Sequence, residues 1–457
     1  MLRKDHRKRT AWRRWAFAEL LAVLLILLAC TPNGSKEAEA APTPEPTAVP
    51  ETETPTSAPT PEPTEEPTPE PTPVPTPVPT PEPTPEPTPV PTPQRITIGA
   101  VGDIMIPSMI VEDVKVAKDT YDFSQLFLPM RELFESVDLM CGNLEVPLAG
   151  AEGGYSGAKN KKTGLFSFNA PDSLLDTLKE YGMDMLTTAN NHSFDRGIKG
   201  LHRTIEVIRA AGFYQTGTYL NEEERLTPCI VEVNGIKIGF VASTRLMNTF
   251  DVPSEEAYPA FGYYLSKGDS LSQECRDSIA RAREAGAEYV ILFAHWDHEN
   301  DNPTAADTKS IARQAIAAGA DCIIGSHPHR IKGAEYVTVD REDGPYTGLV
   351  LYSLGNFTAN FEFVCMVGLF AKITLQKNYE TGDVTLIEAG VIPTFTMRRA
   401  GDKQCFTVLP AYADTDAIQG LGSPLTAREI ESIGKARALA LLRLGKVAGL
   451  RILDEGR

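Results

Sequence analysis

The chain has 457 residues, a formal net charge of −17 and 23% charged residues. Its densest run of Lys and Arg lies in the first 14 residues, and the acidic remainder excludes an electrostatic nucleic-acid binder. About 100 residues at the front lack the composition of a globular domain, which leaves roughly 360 to bury a core.

Residues 1–30 carry seven Lys or Arg against Asp5 and Glu19 and continue into AELLAVLLILLAC. The apolar run Leu20–Ala29 has the length of a signal-peptide core and is short for a bilayer span. It ends in LLAC, which resembles the bacterial lipobox and implies cleavage and lipid attachment at Cys30. An ordinary cleaved signal, or an uncleaved anchor reaching back to Trp15, fits the same residues. The main readings put the folded part outside the cytoplasm, and the lipobox puts it on the membrane of a bacterial cell. Residues 31–94 hold eleven Glu against one Lys, and 42–93 hold 22 prolines. Such a run favours the polyproline II helix and buries nothing, so a disordered spacer reaching on the order of 160 Å is expected.

From residue 95 the pattern changes to buried-strand candidates, each followed by a polar residue. RITIGAVGD ends at Asp103, DLMCGN at Asn143 and MDMLTTANNH at His192. YVILFAH ends at His295, DCIIGSHPH at His327 and His329, and LVLYSLGN at Asn356. Helices are expected over 171–182, 198–211, 270–285 and 304–318, with glycine at or just past their ends. VEVNGIKIGF, 231–240, predicts a hairpin turning at Asn234-Gly235, and 363–392 a second antiparallel pair. The prediction is an α/β sandwich of two mixed sheets flanked by helices, with ligands gathered beyond the carboxyl ends of the strands. A C-terminal extension, 401–457, is expected as a separate element with a helix in 423–449, begun by a Thr426/Glu429 capping box. Three of the six cysteines after Cys30 sit in apolar strand runs, so mostly free thiols are expected.

GSHPHRIKG, 325–333, places two of the seven histidines two residues apart. Pro328 biases Ser326–His327 toward extended forms, in which His327 and His329 would point the same way. Together with Asp103, Glu145, His192 and His295 they form a mixed imidazole–carboxylate set suited to Zn, Mn or Fe.

Six motifs occur in order: GDIM (102–105), GNLEVPL (142–148), TTANNHSFDRG (187–197), AHWDHEN (294–300), GSHPH (325–329) and YSLGNF (352–357). They resemble the CapA family of poly-γ-glutamate capsule-synthesis proteins, which in turn looks like the calcineurin-like metallophosphoesterases. The resemblance covers roughly 95–400. It implies one or two divalent metals held by Asp103, Glu145, Asn191, His295, His327 and His329. It implies a catalytic His192 assisted by Asp195 and Glu299, and substrate contacts from Asn143, Asn190, Arg196 and Asn356. The implied activity is metal-dependent hydrolysis of a phosphoester, or of an amide or ester in an envelope polymer. The alternative is a non-catalytic component that binds, exports or anchors the polymer in a membrane complex of capsule synthesis. The chain departs from the metallophosphoesterase pattern at Met105, where a histidine is usual, and at Asn143, where a bridging aspartate is usual. Asp297 and His298 are additions, and an exposed His298 is expected.

Overall fold

The computed structural model describes residues 94–157, 166–248, 265–299, 303–399 and 405–454. Residues 1–30, where an export signal ending at Cys30 is expected, and all of the expected spacer but Gln94 lie outside these residues.

Strands covered on both faces explain the continuous apolar runs. In Tyr289–His295 every residue is buried. Ile291 and Phe293 enter a core shared with Ile98 and Phe370 of the other sheet. Val290 and Leu292 face a second core with Ile279 and Ile311, from helices Gln273–Glu284 and Ala306–Ala317.

One sheet runs in the order Phe406–Pro410, Val384–Arg398, Val367–Lys377, Gln94–Ile104, Leu139–Leu144, Met185–Thr187, Tyr214–Thr216. Gln94–Ile104 pairs antiparallel with Val367–Lys377 and parallel with Leu139–Leu144, where the parallel half begins. The other sheet runs Ile331–Arg341, Gly344–Leu354, Cys322–Ser326, Tyr289–His295, Ile236–Thr244, Cys229–Val233. Its four central strands are parallel. This is the expected α/β sandwich of two mixed sheets. Asn234 and Gly235 turn its edge hairpin with φ of 51° and 74°, the pair of positive values that a type I′ turn requires.

The helices Ser173–Glu180, Gly197–Ala210, Gln273–Glu284 and Ala306–Ala317 lie within three residues of their expected bounds. Two expectations need correction. The strand Ile331–Arg341 was not anticipated; it is a half-buried edge whose mixed composition hides it. The extension beyond 400 is not separate. Phe406–Pro410 extends the first sheet, and Leu450–Ile452 pairs with Val384–Arg398. Helix Ala427–Leu444 buries Ile433, Ala436, Ala440 and Leu444 in the shared core. The 15-residue strand Val384–Arg398 pairs with Val367–Lys377 along one edge, and both tail strands pair along its other edge. The Thr426/Glu429 capping box is formed, and Cys141, Cys229, Cys275, Cys322, Cys365 and Cys405 form no disulfide.

Candidate metal centre

The carboxyl ends of parallel strands from both sheets meet at one place. Asp103 lies in register with Asn143 on one side and Asn356 on the other, and His295 lies opposite Ser326. The approach is close because position 102 is glycine: a Cβ there would lie 1.9 Å from the carbonyl oxygen of Gly355. Asp103 N–H donates to that same oxygen at 3.1 Å.

Asp103 is fully buried, and both its oxygens are used. Asn143 Nδ2 donates to Oδ1 at 2.7 Å, and the His327 N–H donates to Oδ2 at 3.2 Å. Asn143 Oδ1 accepts from Asn190 Nδ2 at 3.2 Å, and Asn190 Nδ2 also reaches the Leu144 carbonyl. Asn143 and Asn190 thus fix the floor of the site.

His295 Nδ1 meets Ser326 Oγ at 2.9 Å, while Nε2 meets Asn191 Oδ1 at 2.7 Å and lies 3.7 Å from Glu145 Oε1. The Asn191 oxygen and the imidazole nitrogen converge head to head, as two ligands of one cation do. Glu145 is fully buried, and neither carboxylate oxygen receives a hydrogen bond. Burial, then the charge of Asp103, pushes its pKa well above the usual carboxylate range. His327 Nδ1 is likewise buried without a partner. Burial, then the neighbouring imidazoles, pushes His295 well below the ordinary histidine value and His327 down to about 3. Both are therefore neutral at pH 7, the form of imidazole that ligates a metal. For His329, burial opposes the charge, but Asp103 at 3.5 Å outweighs it and the pKa rises.

These atoms fall into three groups, each with ligand atoms within 4.8 Å of one another: Glu145, His295 and His327; Asp103, Glu145 and His329; Glu299, His327 and His329. Glu145 belongs to two of them. A buried carboxylate without donors among neutral imidazoles fits a divalent cation of the Mn, Zn or Fe kind.

The HPH segment is not extended, contrary to expectation. His327 and His329 have φ of 92° and 55°, in the left-handed region that histidine seldom enters. The backbone turns there to deliver the His327 N–H to Asp103, so the two rings diverge at 59° with centroids 5.7 Å apart. His329 Nδ1 meets Asn356 Oδ1 at 2.9 Å, and Asn356 Nδ2 donates to the Cys365 carbonyl. Backbone strain of this sort, about 1–3 kcal/mol per residue, concentrates at functional sites.

His192 stands at the rim. Nδ1 lies 2.7 Å from Asp195 Oδ2, which also accepts the Phe168 N–H at 2.7 Å. Asn248 Nδ2 lies 3.2 Å from Nε2, so the network assigns the proton to Nδ1 and the lone pair to Nε2. Glu299 is exposed, with Oε1 3.9 Å from His327 Nε2. Arg196 spends its guanidinium on the backbone carbonyls of Phe168, Gly153 and Ser167, which ties Gly153 to the segment holding Ser167 and Phe168. His298 is exposed, and Asp297 accepts its N–H. Sequence reasoning missed Ser326 and Asn248. Ser326 lay inside a quoted motif, whereas no local signal marks Asn248.

The family model described as bacterial capsule synthesis protein PGA_cap matches residues 97–360, more than half of the chain. The chain belongs to that family. Its relatives include the capsule biosynthesis protein CapA of Bacillus anthracis, 25% identical over 264 residues, and the PGA biosynthesis protein CapA of Bacillus subtilis, 27% identical over 261. These alignments cover 58% and 56% of this chain, and the chain spans only 60% and 61% of those relatives' own lengths. Among solved structures it is similar to the calcineurin-like phosphoesterase YfkN from Bacillus subtilis. That match has 12% identity and a TM-score of 0.35, over 76% of this chain and 96% of the other. A protein of Thermus thermophilus matches at 9% identity and a TM-score of 0.30, over 64% and 97%. Overlaps that loose carry no argument about activity.

Proposed function

We propose that this family member is an extracytoplasmic, lipid-anchored, metal-dependent hydrolase of the phosphoesterase type, serving synthesis of a capsule or related envelope polymer. The observation that carries the hydrolase reading is Glu145: two carboxylate oxygens, fully buried and without a donor, surrounded by imidazoles. Asp103, Glu145, Asn191, His295, His327 and His329 would hold the cation. Glu145, common to two ligand groups, would supply the negative charge that an aspartate at position 143 would have given. When bound, a divalent ion supplies an acidified water and a positive charge on the ester oxygen.

The chain's own residues do the rest. Asn143 and Asn190 hold Asp103 in place from below. Asp195 holds the Nδ1 proton of His192 and so orients its Nε2 lone pair, which would take the proton released by the attacking water and pass it to the leaving alkoxide. Glu299 at the rim and Asn356 behind His329 complete the walls. The capsule names of the Bacillus relatives support the biological setting, and the basic, apolar residues 1–29 with the lipobox-like LLAC at Cys30 support the location. Polymerisation itself would fall to other proteins of a membrane complex.

One observation favours a second reading, a polymer-binding component without turnover. Asn143 is neutral and committed to Asp103 and Asn190, which suits one metal better than two. Turnover of an aryl phosphate with added Mn²⁺ decides between them. The hydrolase reading expects turnover that His192→Ala abolishes with metal content intact. A metal-loaded protein inert across a phosphoesterase panel supports binding alone. Cys30→Ser is expected to move the protein from the membrane to the soluble fraction.

A further inference from the structure

Beside the histidines lies a cavity of about 550 Å³, the size of a small-molecule site. His192, Asn248, Glu299 and His329 are among its polar lining. Asn248 stands outside the six motifs, 56 residues from the histidine it meets. It follows the strand Ile236–Thr244, which runs beside Tyr289–His295 with Thr244 opposite His295. The turn after that strand is pinned. Thr244 Oγ1 donates to the Leu246 carbonyl at 2.8 Å, the Arg245 N–H to the His295 carbonyl at 2.9 Å, and the Asn248 N–H to the Asn191 carbonyl at 2.9 Å. The last two carbonyls belong to proposed metal ligands, so the backbone of Asn248 is fixed to the metal centre itself.

The side chain is half-buried, and its Nδ2 lies 3.2 Å from His192 Nε2 and 3.5 Å from Nδ1 of the same ring. Nδ1 is committed to Asp195 at 2.7 Å, so the amide rests on the Nε2 lone pair. That is the lone pair through which His192 would take the proton of the attacking water. It cannot hold the Asn248 N–H and that proton together, so the amide must give it up in the working site. A donor held at the cavity wall by its own backbone then needs an acceptor close to Nε2. The oxygen of a bound anionic ester is such an acceptor, and hydrogen bonds to charged groups are the stronger kind.

We infer that Asn248 is a further catalytic residue of this site: its Nδ2–H leaves His192 when substrate enters and donates to a non-bridging oxygen of a phosphoester. A donor already aimed at that oxygen stabilises the charge of the transition state without reorganising water. Asn248 thus covers the base in the empty cavity and uncovers it as the anion arrives. This rests on the phosphoesterase reading above.

Calorimetric titration of the Mn²⁺-loaded protein with inorganic phosphate, alongside turnover of an aryl phosphate, tests it. The wild type is expected to bind phosphate. Asn248→Ala is expected to weaken phosphate about tenfold, the size of one hydrogen bond to a charged group, and to lower kcat about 100-fold, with metal content unchanged. Asn248→Asp, which keeps the shape but repels the anion, is expected to weaken phosphate further, and Asn248→Gln, which keeps an amide on a longer arm, to recover part of the loss. Phosphate affinity equal to wild type in both Asn248→Ala and Asn248→Asp overturns the contact and leaves the metal centre standing, even if turnover falls. Loss of metal in these variants makes Asn248 a support of Asn191 and overturns the contact too. A metal-loaded wild type that binds no phosphate overturns the phosphoesterase reading and the contact with it.

Discussion

Replacing Glu145 by methionine separates what the site costs from what it does. The carboxyl is fully buried, and neither oxygen has a donor; the nearest imidazole nitrogens, on His295 and His329, stand 3.7 and 3.8 Å away. An unsatisfied buried polar group costs about 1–3 kcal/mol, and a methionine of similar volume removes that cost without opening a cavity. In excess chelator, Glu145→Met is therefore expected to be more stable than the wild type. At about 2 °C per kcal/mol for a domain of this size, the melting temperature rises by roughly 2–6 °C. With saturating metal the order reverses. A cation at 1,000 times its Kd stabilises the wild type by about 4.1 kcal/mol, and the variant, lacking the shared carboxylate, gains little. Differential scanning fluorimetry with chelator and then with Mn²⁺ or Zn²⁺ measures both effects. A variant less stable than wild type in chelator, or one that gains as much from metal, refutes the reasoning.

Asp195→Asn leaves His192 in place but removes the charge that steadies its imidazolium, so kcat is expected to fall about 100-fold with metal content unchanged, as measured by steady-state kinetics and elemental analysis. Asn143→Asp sets a second carboxylate against Asp103, where an amide now donates at 2.7 Å. The chelated protein is expected to lose about 1–3 kcal/mol and the metal content to rise, read by melting and metal stoichiometry. Thr426→Ala breaks the capping box and costs about 1 kcal/mol in denaturant titration. Burial opposes the ionised Glu429, but hydrogen bonds from Thr426 and Arg399 outweigh it and hold its pKa below the ordinary value. The stability it contributes is therefore present above its unfolded pKa and lost as pH falls through the lower folded value. The wild-type advantage over Thr426→Ala narrows in that acidic window.

The strand ends were legible because both faces of each strand are covered: YVILFAH and DCIIGSHPH stay apolar until a side chain must leave the core, and there the ligand candidates stand. The ligand positions followed from this rule and from the motifs. What was hidden depends on contacts between distant parts of the chain. The left-handed turns at His327 and His329 are set by the pull of Asp103 on a backbone N–H, against the bias of Pro328. Arg196, adjacent to a catalytic candidate, spends its donors on the loop residues Gly153, Ser167 and Phe168 instead of facing the cavity. Asn248 meets His192 across 56 residues of chain. The tail joined the first sheet because Val384–Arg398 has a second edge open beside the one paired with Val367–Lys377, a matter of sheet order that composition does not record.

Anomalous scattering from crystals soaked in Mn²⁺ tests the central claim most directly. The account predicts a peak enclosed by Glu145, His295 and His327, about 2.0–2.3 Å from their ligand atoms and lost in Glu145→Met. Fully soaked crystals with no peak among these residues, or with metal only at surface carboxylates, contradict it.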